Sequence, residues 1–105
     1  MKQEYYAVVK RVVDADTVML QVEIGFDVSV LLRVRLLDLY APELRTVTGK
    51  LLAGRVADLL LDEGVTFASH GRDKYGRYLG KLTMLNGQSV SRIINDYCTE
   101  AGGVV

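Results

Sequence analysis

R-V-R-L-L-D-L-Y-A-P-E-L-R, residues 33–45, is the stretch in which this chain changes its pattern. Up to Leu36 the residues alternate, with Val34 and Leu36 on one side and Arg33 and Arg35 on the other, as in a half-buried strand. The only proline, Pro42, then ends the run, and Glu43 follows at once. A strand end and the loop after it are common places for functional side chains, because the sheet holds them and the loop exposes them. Arg35 and Glu43 therefore read as a cation and a carboxylate aimed at one site. The competing reading is structural: two arginines on a solvent face, then a proline turn.

Working back toward the N-terminus, period two continues. Val28 opens the strand that carries Arg33 and Arg35, with Val30, Leu32, Val34 and Leu36 on its inner face. Gly25-Phe26-Asp27 is the turn before it. Residues 17–24 form a second strand, with Val18, Leu20, Val22 and Ile24 inward and Thr17, Met19, Gln21 and Glu23 outward. Asp14-Ala15-Asp16 separates it from a first strand over residues 5–13, rich in valine and tyrosine. Three strands joined by short turns make an antiparallel meander.

Working forward, the period lengthens. Leu52, Val56, Leu59 and Leu60 fall on one helical face, with Thr46 or Thr48 as N-cap and Gly64 in the place of a C-terminal glycine. Residues 65–69 are a fourth strand, residues 70–77 a polar loop, and residues 78–85 a fifth strand ending at Asn86-Gly87. Ser89 caps a last helix whose Val90, Ile93, Ile94 and Tyr97 share a face, and Gly102-Gly103 stops it. Five short strands with one helix between the third and fourth is the order of an OB-fold, a five-stranded Greek-key barrel. The expected class is mainly β with helices, with residues 1–105 as a single domain of this kind.

The composition sets bounds. The chain has 105 residues, half of them apolar, and thirteen basic residues balance thirteen acidic ones. Net charge gives no argument for a polyanionic partner, so nucleic-acid binding has to come from a local cluster of cations. Cys98 is the only cysteine, which rules out an internal disulfide and favours a buried thiol. The start of the chain lacks the apolar run of a secretion signal. A cytoplasmic location is therefore expected, or a secreted one if a leader has been removed.

Three clusters carry chemistry. Asp14-Ala15-Asp16-Thr17 places two carboxylates and a hydroxyl at a strand entry, suited either to a hard cation or to a simple turn. The second cluster is Arg35 with Glu43. The third is Asp73-Lys74-Tyr75-Gly76-Arg77, cations and an aromatic in a glycine-containing loop, fit for a phosphate or merely an exposed hairpin tip. His70, the only histidine, is needed by none of them and is expected to do no chemistry.

Together these clusters resemble the staphylococcal nuclease (thermonuclease-like) family. Its V-x-D-G-D-T is matched by Val12 to Thr17, its R-L-x-x-x-D-x-P-E by Arg35 to Glu43, and its D-K-Y-G-R by Asp73 to Arg77, unchanged. The likeness covers roughly residues 8–101, nearly the whole chain. It implies a calcium-dependent nuclease acting on DNA or RNA. By the resemblance Asp16 is a calcium ligand, and Glu43 activates or orients the attacking water. Arg35 and Arg77 hold the phosphate and stabilise its developing charge, and Lys74 and Tyr75 contact the substrate. The pattern departs from the family at Tyr40, which stands where a second calcium carboxylate is usual. Ala15 replaces a glycine, and Ala41 stands where threonine is common. Asp38, two residues before Tyr40 and about 7 Å along a regular strand, could complete a shifted metal site. The alternative is a non-catalytic member that keeps the barrel as a nucleic-acid or protein-binding module.

Overall fold

The computed structural model describes residues 3–39 and 47–99. The elements run β1 (Gln3–Asp14), β2 (Thr17–Gly25), β3 (Val28–Leu36), α1 (Val47–Leu60), β4 (Gly64–Arg72), β5 (Tyr78–Met84) and α2 (Val90–Cys98). The strands close into a barrel in the order β1-β2-β3-β5-β4, consistent with an OB-like fold. Every neighbouring pair is antiparallel except β3 and β5. That parallel seam holds only Val34↔Tyr78, Arg35↔Leu79 and Leu36↔Gly80, and the amide of Leu37, which donates to the Gly80 carbonyl at 2.9 Å, extends it.

The alternation of the first three strands explains the interior. Val9, Val18, Leu20, Val22, Val34 and Leu36 are almost fully buried, and Val65, Phe67 and Leu82 join them from β4 and β5. Burying such side chains stabilises a fold by roughly 1.5–3 kcal/mol each. The helices bring Leu52, Val56 and Leu60 from α1, and Val90 and Ile94 from α2, into the same core. The Arg55 guanidinium lies 3.9 Å from the centre of the Tyr97 ring, which ties the two helices together. Ser89 caps α2 as its sequence predicts, its side chain accepting from the amide of Arg92.

Several expected boundaries move. β1 begins at Gln3, because Gln3 and Glu4 pair with Ser69 and Ala68 of β4. β4 does not stop at Ser69 but runs through His70 and Gly71 to Arg72, which pairs with Tyr78 across an irregularity in the register. Gly71, at φ 104°, supplies the bend there, so the polar loop narrows to the turn at residues 73–77. Gly64 is the first residue of β4, and an added Cβ there would lie 2.6 Å from the Tyr6 hydroxyl. The left-handed residue after α1 is instead Asp62, at φ 63°. Thr46, the Thr48 side chain and Gly102-Gly103, expected as helix cap and stop signals, lie outside the described residues.

The turn between β2 and β3 is a two-residue hairpin loop, with both Phe26 (φ 55°) and Asp27 (φ 59°) left-handed. That is the backbone of a type I′ turn, which matches the twist of the flanking strands. Between β1 and β2, Ala15 is fully buried. It is not among the non-glycine residues with positive φ, so alanine sits in this turn without backbone strain.

Candidate functional site

The site is built where β2, β3 and β5 run side by side. Thr17 pairs with Arg35 and Val34 pairs with Tyr78. Asp16 directly precedes Thr17 and lies beside Arg35, whereas Arg77 directly precedes Tyr78, the partner of Val34, and so falls level with Arg33. Strand alternation puts Arg77 on the outer face with Arg35, because Tyr78 shares its face with the inward Val34.

Asp16 is fixed from several sides. Its carbonyl accepts from the Leu36 amide at 2.7 Å. Its Oδ1 accepts from the hydroxyl of Thr17 at 2.9 Å, a residue buried at 4 % exposure. Its Oδ2 lies 3.6 Å from Nε of Arg35, close enough for attraction but too long for a hydrogen bond. Both groups keep solvent access, with side chains 26 % and 42 % exposed. Asp16 thus offers a carboxylate oxygen that no short bond ties up, beside a guanidinium that is open to a further anion.

The turn between β4 and β5 holds Arg77. Asp73 organises it: Oδ1 accepts from the amides of Tyr75 (2.9 Å) and Arg77 (3.0 Å), and Oδ2 accepts from Nε of Arg77 at 2.7 Å. Desolvation pushes the Asp73 carboxyl up, but the amides of Arg77 and Tyr75, with the Arg77 guanidinium, outweigh it and hold the group below its usual range. Because Nε is the nitrogen engaged, the terminal nitrogens of Arg77 remain the ones to meet a phosphate. Tyr75 is 72 % exposed, and its ring lies 5.3 Å from the Lys74 ammonium and 5.7 Å from the Arg77 guanidinium. An exposed aromatic flanked by two cations is a surface on which a base can stack while its phosphate is held.

Asp38 has a different setting. It is left-handed at φ 62°, its carboxylate lies 2.9 Å from the Lys81 ammonium, and its carbonyl accepts from the Asn95 side chain. It lines a cleft with Lys81, Ser89, Ser91, Arg92 and Asn95 against α2. Among the described residues, no three of His, Cys, Asp and Glu gather as a metal cluster. The donor chemistry of Asp16 suits a calcium ion; that of Asp38 suits it less, because Lys81 already neutralises the carboxylate. Tyr40 and Glu43 lie outside the described residues. His70 is exposed on β4.

One of these partners was not legible beforehand. Lys81 reads only as an outward residue of an alternating strand, and its pairing with Asp38 comes from the parallel seam. The role of Asp73 as organiser of its own turn could have been read from the aspartate two and four residues before Tyr75 and Arg77, a common turn device. No known family model matches the chain, and no curated protein is significantly similar to it.

Proposed function

We propose that the protein hydrolyses phosphodiester bonds of DNA or RNA, with calcium as cofactor. The observation that supports this best is the Asp16 carboxylate 3.6 Å from the Arg35 guanidinium, both groups open to solvent. The resemblance to the staphylococcal nuclease family leads to the same reading. In it, Asp16 holds the cation, which when bound polarises a phosphoryl oxygen. Arg35 and Arg77 grip the phosphate and offset the charge that grows on it as water adds. Glu43 takes the proton from that water. Lys74 and Tyr75 steady the neighbouring nucleotide.

A second reading is favoured by one contact, the Asp38–Lys81 ion pair. With Tyr40 in place of a carboxylate and Asp38 already neutralised, calcium is left with Asp16 and few other anions. The barrel would then bind nucleic acid or protein without cutting.

Cleavage of supercoiled plasmid and of labelled single strands, with calcium and with a chelator, separates the two. The nuclease reading expects calcium-dependent cutting that Glu43→Gln and Arg35→Ala each reduce, by about 100-fold or more. Absence of cutting by the native chain with any divalent cation, alongside retained oligonucleotide binding, would establish the binding module.

A further inference from the structure

The outer face of β1, β2 and β3 carries a groove that the reading above does not use. Its volume is about 460 Å³, and it is lined by Lys10, Arg11, Val13, Met19, Leu31 and Arg33. Two irregularities in β1 help to build it. Val9 pairs with Leu20 and Arg11 with Met19, so Lys10 is an extra residue; Val12 pairs with Val18 and Asp14 with Thr17, so Val13 is another. Such bulges re-aim side chains and bend the strand, and both extra residues line the groove. Across the sheet, Arg11 pairs with Met19 and Met19 with Arg33. A methionine therefore lies between two arginines in one cross-strand row.

The positive charge is local to the groove. Toward one end the next outward row is Asp14↔Thr17↔Arg35, with Arg35 about 7 Å from Arg33 and beside the Asp16 carboxylate. Toward the other end the rows become neutral at Gln21↔Leu31 and acidic at Glu23↔Ser29. Among the described residues, no carboxylate lines the groove. In a chain of zero net charge, three cations on an apolar floor, Leu31 among it at 61 % exposure, form a local anion-binding surface. It is continuous with the phosphate-holding arginine.

We propose that this groove binds the sugar–phosphate backbone of a single nucleic-acid strand, at the nucleotides next to the bond held at Arg35. Lys10, Arg11 and Arg33 meet its phosphates, and the exposed base faces lie on Met19 and Leu31. The choice of a nucleic acid over another polyanion rests on the phosphodiesterase reading of the adjoining site. A single strand suits the groove better than a duplex, because only unpaired bases can turn toward an apolar floor.

Fluorescence anisotropy tests this with a labelled single strand of about 16 nucleotides, in chelator so that no cutting occurs, over a series of salt concentrations. The Arg11→Gln/Arg33→Gln variant is expected to weaken binding at least several-fold. It should also flatten the dependence of log affinity on log salt by about 1.4, two single-strand contacts at ~0.7 each. Arg11→Lys/Arg33→Lys should restore most of that slope, since the charges remain. Both arginines are on the surface, and circular dichroism checks that each variant is folded; Lys10→Gln alone, expected to cost one contact, serves if the double variant is not. Unchanged affinity and slope in folded variants overturn the proposal even if the native chain cuts DNA. Calcium-dependent cutting absent from the native chain, with the variants still losing affinity and slope, removes the phosphodiesterase reading and leaves the groove. Binding of poly-glutamate as tight as that of the oligonucleotide, with the same loss in the variants, overturns the proposal in favour of an acidic protein.

Discussion

At the scale of single residues, the phosphodiesterase reading makes the carboxylates decide how well calcium would be held. Asp38 pairs with Lys81 at 2.9 Å, which favours a site lacking an anion over one displaced along the chain. Tyr40→Asp is therefore expected to tighten calcium binding by roughly tenfold, on the order of 1.4 kcal/mol, and to raise cleavage. Asp38→Ala should leave calcium affinity nearly unchanged. Calorimetry on both variants checks this, and a loss of calcium binding in Asp38→Ala would show that Asp38 leaves Lys81 for the metal. Phe26 is a separate case. It is fully exposed and left-handed, a conformation that costs a side-chain-bearing residue about 1–2 kcal/mol. Phe26→Asn, better suited to the first position of a type I′ turn, should raise the melting temperature by several degrees in a thermal unfolding series.

At the scale of elements, β5 is the piece on which closure depends. Gly80 pairs with Leu36 on one side and with Ser69 on the other. A Cβ there would collide with the Phe67 ring and come within 2.6 Å of the Ala68 carbonyl. Gly80→Ala should destabilise the fold by about 1–3 kcal/mol, seen as a lower denaturant midpoint. The turn before β5 has its own pH dependence. The native pKa of Asp73 is lowered, so its contribution is present above the unfolded value, about 3.9. That contribution is lost as the pH falls through the lower native value. Protection of the Tyr75 and Arg77 amides from exchange should fall in that acid range, and Asp73→Ala should remove it at every pH. Period-two alternation was enough to read the meander, and α1 was legible from Leu52, Val56 and Leu60. The bulges at Lys10 and Val13 were not, because an extra residue shows itself only against the partner strand. β4 was cut short for a similar reason: His70-Gly71 looks like a loop until Arg72 is seen to pair with Tyr78. In the site, Arg35 and Arg77 were visible as motifs, whereas the Lys81 partner of Asp38 depends on a parallel pairing that no local pattern encodes.

At the scale of the whole molecule, closure joins distant parts of the chain. The hairpins β1–β2, β2–β3 and β4–β5 are local, but β1 must find β4 and β3 must find β5. Non-local pairing of this kind slows folding into the range of milliseconds to seconds. Stopped-flow refolding followed by tyrosine fluorescence should fall in that window, and Gly80→Ala should slow it if the seam forms in the transition state. The seam also bears on how the protein is made. A growing polypeptide that has reached Leu36 already holds Arg11, Arg33 and Arg35 in its meander, yet Arg77 is added only some forty residues later. Under the phosphodiesterase reading, the newborn chain can cling to nucleic acid before it can cut any.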